Sequence, residues 1–286
     1  MGLFGDLFDS ARENMERKRQ AESWYRQAKE IVQSANRKYE SEQSKTSSLM
    51  YETRAAITEH MIFRKNIAKE LDSDIVPTMD RFDQFDIDKK AIGSMGKDLG
   101  SISRSSEVFM QKTAAFSDTS IFYGNIVGRA PSIKDFFISD EDYYEARSAY
   151  EDAKRYRETI RFEQQKLSAC RDHLREIKSC MNNEERELNA LMGKLRKMSK
   201  ELNQNMQKSR FTADEIAYLK GIQKISKSII RLLSTDVADF GDIIWVGSKY
   251  KEVLKNIQTI NESVPVAPSI SDHSAIEKLL RLPVEA

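Results

Sequence analysis

Apolar residues recur every seven positions from Ala146 to Asn205. One column reads Ala146, Ala153, Ile160, Leu167, Leu174, Met181, Leu188, Leu195 and Leu202. Three residues on, a second reads Ala149, Tyr156, Glu163, Cys170, Ile177, Glu184, Leu191, Met198 and Asn205. A heptad repeat held this long, without proline, predicts a helix supercoiled against a partner helix. Glu163 and Glu184 break its second column. The spacing predicts a start near Ser139, with Asp140, Glu141 and Asp142 set favourably against the helix dipole, and an end near Ser209. Thr212 and Glu215 then form a capping box that opens another helix. That second helix carries Ile216, Leu219, Ile222, Ile225, Ile229, Leu232, Leu233, Phe240, Ile243, Ile244, Leu254, Ile257 and Ile260, with Gly241 and Gly247 as a kink. A short turn between the two makes them antiparallel neighbours.

The same reading applied upstream gives a long first helix. Leu3, Phe4, Leu7, Phe8, Ala11 and Met15 form one amphipathic stripe. Trp24, Ala28, Ile31 and Ala35 continue a face, as do Leu49, Thr53, Ile57, Met61 and Ala68. Between Asn36 and Ser48 only Tyr39 is apolar, so the helix is there either solvated all round or broken. Unbroken, it would run roughly 100 Å. Pro77 and the Asp72-Ser73-Asp74 cluster are expected to end it.

Residues 72–138 are less regular. Ile92, Met95, Leu99 and Ile102 step as one helical face with Gly93, Gly96 and Gly100 beside it, a pattern for close helix packing rather than a phosphate-binding loop. Phe109, Phe116, Phe122, Tyr123, Phe136 and Phe137 make 108–138 the most aromatic part of the chain, punctuated by Gly124, Gly128 and Pro131. Beyond residue 262, Pro265 and Pro268 stiffen a linker. Ser274 and Glu277 suggest a capping box, and Ile276, Leu279 and Leu280 form a short apolar face suited to docking in a groove.

These elements predict an all-α fold, an elongated antiparallel coiled-coil helical bundle with an irregular apolar cap. Four segments follow: 1–71, the N-terminal amphipathic segment and long helix; 72–138, the cap; 139–262, the coiled-coil hairpin; and 263–286, the linker and C-terminal peptide. Composition agrees, with 32% charged and 9% aromatic residues, the profile of long solvated helices.

Net charge is only +1, but it is unevenly placed. Residues 194–231 hold ten Lys and Arg against three acids, a local +7. Lys194, Lys197 and Lys200 lie on one predicted arm; Lys220, Lys224, Lys227 and Arg231 step along one face of the next. Residues 135–152 and 70–88 each carry −6. With the first helix packed along the hairpin and a local connection through 72–138, Leu71 is expected at the acidic pole and residues 1–19 toward the basic one. Leu3, Phe4, Leu7, Phe8, Arg12, Lys18 and Arg19 would then join the lysines in a two-signal membrane contact.

The opening MGLFGDLFDSARENM resembles the N-terminal amphipathic helix of the phage-shock protein A family, membrane-binding helical scaffolds. That resemblance implies membrane contact by residues 1–15 and assigns no individual residue a role. Long helices around the apolar 108–138 also resemble the layout of helical pore-forming toxins, which implies insertion of that segment.

Candidate chemistry is sparse. His60, His173 and His273 each stand alone, and no HExxH or Cys-x-x-Cys pattern occurs, so no metal site is predicted. No nucleophile elbow or dinucleotide fingerprint appears, so neither catalytic residues nor a cofactor are expected. Cys170 and Cys180, ten residues apart on one helix, cannot bridge each other and suit a reducing compartment. Neither a signal peptide nor a membrane span is legible. The resulting expectation is a non-catalytic scaffold, cytoplasmic and peripheral on the inner face of a membrane. Its expected partners are an anionic membrane surface, further copies of itself, and a protein bound through the C-terminal peptide. A pore-forming or effector-type protein is the alternative. A nucleic-acid-associated coiled coil is disfavoured, because Phe211 and Tyr218 are the only aromatics in the basic cluster.

Overall fold

The computed structural model describes residues 3–83, 89–116, 143–205, 211–241, 244–266 and 268–282; within its helices the side chains of 3–11, 14, 80–83, 89–98, 115–116 and 205 lie outside that description. The described chain is all-α apart from one small hairpin. Helix α1 spans Leu3–Glu70, and a π turn, Leu71–Ile75, leads directly into α2, Val76–Asp83. Then come α3 (Lys89–Phe116), α4 (Tyr143–Asn205), α5 (Ala213–Leu233), strands β1 (Ala238–Phe240) and β2 (Ile244–Val246), α6 (Ser248–Ser263) and α7 (His273–Leu280). Two compact units result. The first is Met1–Met50 with Thr119–Asp172; the second is Tyr51–Asp118 with His173–Ala286. This division cuts across both long helices, whereas the sequence segments are bounded by helix ends.

In the first unit α1 and α4 lie side by side. Trp24 packs on Tyr143 with ring centroids 4.9 Å apart. The Tyr156 hydroxyl donates to Asn36 Oδ1, and Arg171 donates to the Glu42 carboxylate and to Thr46 Oγ1. Residue numbers rise together along both helices, so the pair is parallel. The heptad columns are the contact. Every residue of the first column, Ala146 to Leu202, is buried, as are Tyr156, Glu163, Cys170, Ile177, Glu184, Leu191 and Met198 of the second. On α1 the matching buried positions are Val32, Tyr39, Thr46, Thr53, His60 and Ile67, with Met50, Ile57 and Arg64 alongside and Leu71 just beyond its end. Both sets step by seven. The polar stretch after Asn36 is therefore an unbroken seam in which Thr46 satisfies its hydroxyl on Glu42 O at 2.8 Å.

In the second unit the same parallel pairing continues: Lys178 meets Glu52, Arg196 meets Glu70, and Ser199 meets Thr78 at 2.7 Å. This overturns the expected course of the first helix. Glu70 lies against Arg196 of the basic segment, not at an acidic pole. Segment 72–138 is not only a local connection: its helix α3 lies back against α1, where Lys65 meets Glu107 at 3.1 Å.

Pro77 does not end the helix either. A helical proline forfeits one backbone bond and crowds the carbonyl four residues earlier, here Ser73. The wide turn at Leu71–Ile75 absorbs that clash and the helical path resumes as α2.

Helices α4 and α5 are antiparallel, as expected from the short turn. Tyr218 reaches Glu201 at one end, while Leu233 and Thr235 reach Arg64 and hence Glu184 at the other. The Thr212–Glu215 capping box forms in both directions. The long second helix, however, is split. Ser234 and Thr235 turn their hydroxyls back onto Ile230 O and Arg231 O. After them Ala238 pairs with Val246, Asp239 with Trp245 and Phe240 with Ile244. Ala238, Ile244 and Val246 are buried while Asp239 and Trp245 are exposed, a period of two rather than 3.6. β-branched and aromatic residues around Gly241 favour that hairpin over a kinked helix. Phe240 seats against Phe109 at 5.4 Å. Helix α6 then runs parallel to α4, with Tyr250 at Cys180 and Asn261 at Glu187.

Cys170 is wholly buried in the seam, and burial pushes its thiol up to about 12. A thiol reagent on the native protein is expected to modify Cys180 first, and Cys170 only as denaturant opens the helices. Equal rates for both in plain buffer, followed by peptide mass mapping, would contradict the buried seam.

Candidate functional site

Three groups of side chains carry chemistry. The first is a buried charge cluster in the second unit, and sequence reading missed it. Glu184, the residue that breaks the heptad column, accepts from Arg64 Nε and Nη2 at 2.7 Å each and from the Tyr250 hydroxyl at 2.6 Å. Arg64 Nη1 donates to Thr235 O at 2.8 Å and to Leu233 O at 3.4 Å. His60 sits between two carboxylates. Its Nδ1 is 3.0 Å from Glu185 Oε1, and its Nε2 is 3.1 Å from Glu184 Oε2 without the alignment of a hydrogen bond. Burial alone would raise the Glu184 carboxyl, but Arg64 and His60 outweigh it and hold it at about 2. Burial, reinforced by the Glu184 charge, drives the Tyr250 phenol well above its usual range. Glu184 thus spends its oxygens on protein donors, and neither it nor Arg64 is open to solvent. This arrangement fastens α1, α4, the turn after α5, and α6 to one another.

The sequence held one signal for it: a glutamate at a seam position demands a buried cation on the facing helix. Arg64 escaped notice, and His60, expected to stand alone, lies between Glu184 and Glu185, because the α1 seam is so polar that its register was not legible.

The second group is the C-terminal peptide. Its N-cap is Asp272, which accepts from Ala275 N at 3.1 Å, in place of the expected Ser274. Ile276 and Leu279 are buried against the chain itself, and Leu280 remains 46% exposed. Leu279 rests on Gly221 of α5. The Tyr218 hydroxyl donates to Pro268 O at 2.7 Å, and Glu201 accepts from Ile270 N at 3.0 Å and Ser269 Oγ at 2.7 Å.

The third group is the cationic surface. Lys194 donates to Asn261 O and, at 2.8 Å, to Val264 O, so it caps the end of α6; burial lowers its pKa. Lys224 donates to Leu280 O at 2.6 Å and to Leu282 O at 3.2 Å and caps the end of α7. Lysines at helix C-termini satisfy carbonyls that lack intrahelical partners. Lys197, Lys200, Lys220 and Lys227 are exposed, and Arg231 is half-buried. A shallow cleft of about 530 Å³ is lined by Asp74, Arg196, Ser199, Lys200, Asn203 and Gln204. In the first unit Arg12, Lys18 and Arg19 are exposed on α1. The side chains of Leu3, Phe4, Leu7 and Phe8 lie outside the described residues, as does 117–138 of the segment expected to insert in a membrane; Phe109, at its start, is buried.

Among the described residues no three His, Cys, Asp or Glu side chains converge as metal ligands would, and no helix is long and apolar enough to cross a membrane. Comparison with protein-family profiles, with curated proteins and with solved structures finds no match.

Proposed function

We propose that the chain is a non-catalytic helical scaffold that self-assembles and binds anionic membrane peripherally, on the inner face. The observation that carries this reading is the division of its charges. Buried charge is consumed in joining helices, as at Glu184 and Arg64, while Arg12, Lys18 and Arg19 beside the N-terminal apolar stripe face solvent. An amphipathic helix supplies apolar insertion, and each nearby cation adds about 1 kcal/mol on an anionic bilayer. Exposed Lys197, Lys200, Lys220 and Lys227 offer a second cationic surface. Lys194 and Lys224 contribute less to it, because their ammonium groups are held on helix carbonyls.

Flotation with phosphatidylserine-containing vesicles tests this. The full chain is expected to float with anionic vesicles and not with neutral ones. Leu7→Asp with Phe8→Asp is expected to abolish flotation, and higher salt to weaken it. Flotation undiminished by the double substitution would remove the N-terminal anchor; no flotation of the parent chain would remove membrane binding altogether.

A further inference from the structure

We infer that the cleft between the π turn and α4 binds a polyol phosphate, an anionic phosphate ester that carries free hydroxyls beside the phosphate. The inference goes beyond the membrane reading above and rests on it only where that group is a lipid headgroup.

The cleft, of about 530 Å³, has two walls of opposite character. Helix α4 supplies the cationic one. Arg196 and Lys200 stand four residues apart and so share a face, where like charges repel. Among the described residues Arg196 spends only its Nε, on Glu70, which leaves both Nη groups to donate. The Lys200 ammonium is exposed and meets no acid among the described residues. A phosphate between the two takes charge-assisted bonds from both and removes their repulsion.

The facing wall comes from the wide turn Leu71–Ile75, a distortion that recurs at functional sites in helices. Its Asp74 is exposed, accepts from Ser73 Oγ at 2.8 Å, and acts on Arg196 through space without forming an ion pair with it. A carboxylate accepts and does not donate, so it repels a bare phosphate and takes hydroxyls. Between the walls the floor is fixed. Ser199 is 5% exposed and Thr78 3%, with their hydroxyls 2.7 Å apart. The Thr78 hydroxyl donates to Asp74 O at 3.2 Å and accepts from Asn203 Nδ2 at 3.0 Å, which ties the turn to α4. Cations alone would suit any anion. The carboxylate opposite them selects a molecule with an anion at one end and hydroxyl donors at the other. Such a group comes either as a free ester or as the phosphoglycerol head of a lipid.

Titration of the full chain with glycerol 3-phosphate and with inorganic phosphate, followed by amide NMR shifts, tests the site. Glycerol 3-phosphate is expected to bind about tenfold tighter than inorganic phosphate, the effect of one hydrogen bond to a charged group. Lys200→Glu is expected to weaken it about tenfold, and Asp74→Ala to erase the preference over inorganic phosphate. Both side chains are exposed, so helical circular dichroism is expected to be unchanged. Flotation with phosphatidylglycerol against phosphatidylserine vesicles of equal charge separates the sources. A preference for phosphatidylglycerol that Lys200→Glu removes assigns the group to lipid; a preference confined to the soluble ester assigns it to a free ligand. Equal affinity for the two anions together with equal flotation overturns the site, as does a preference that survives both substitutions. Flotation with phosphatidylserine alone still decides the membrane reading separately.

Discussion

Replacing Glu184 by Ala is expected to destabilise the protein by about 3–5 kcal/mol, the usual cost of removing one partner of a buried ion pair. The substitution leaves the Arg64 guanidinium 2% exposed with only two backbone carbonyls for five donors, and takes the acceptor from Tyr250. The double change Arg64→Met with Glu184→Leu is expected to recover most of that loss. Both desolvation costs disappear, and an apolar pair of similar volume fills a seam that is already apolar above and below, at Ile57, Ile177 and Leu191. Denaturant unfolding followed by circular dichroism measures both. A single substitution costing under about 1 kcal/mol, the range of exposed pairs, would show that the cluster is open to water. The pair therefore serves registry more than strength. A slip of one heptad between the parallel helices would leave Arg64 and Glu184 buried apart from each other.

The second large effect is on acid stability. The groups facing Glu184 are Arg64 and His60 from α1 and Tyr250 from α6, with Asp236 acting on Arg64 and Cys180 on Tyr250. Its carboxyl is held at about 2 in the fold against a reference of 4.5. A depressed folded value means the stabilisation is complete above the unfolded value and disappears as pH falls through the folded one. Stability is thus expected to be flat above about pH 5 and to drop by ~3 kcal/mol toward pH 2 through this group alone. In Glu184→Gln that component of the acid limb is expected to vanish, so the two unfolding free energies converge as pH falls. Parallel acid limbs in the two proteins would refute the assignment. Tyr250 acts with the opposite sign. Its raised folded value keeps its contribution intact below about pH 10 and removes it above.

The α4 seam was legible because its first column is almost purely Ala, Ile and Leu, where burial and identity coincide. The α1 seam was not, since Thr46, His60 and Arg64 occupy buried positions that composition assigns to the surface. The capping box at Thr212 was legible because side-chain chemistry and position within the chain specify it locally. The split at Ser234 was hidden, as the apolar residues scattered from Ile229 to Val246 fit either period until Phe109 supplies a surface for Phe240. Of the candidate site, the apolar face of the C-terminal peptide could be read directly. Its seat could not, because a glycine in a helix advertises nothing until Leu279 covers it.

The parallel pairing of α1 with α4 has a kinetic meaning. Arg64 meets Glu184 across 120 residues, and Glu42 meets Arg171 across 129. Helical proteins usually fold fast because their contacts are local, but these long helices meet only after a loop of that size has closed. During synthesis at about 5–20 residues per second, Arg64 is made some 6–24 s before Glu184. Throughout that interval α1 carries a bare seam of Ile57, Met61 and Ile67 with an unpaired arginine in its midst. The arginine and the threonines that interrupt the apolar pattern shorten the continuous apolar surface this waiting helix offers to a wrong partner. The polarity that hid its register from sequence reading protects the nascent chain.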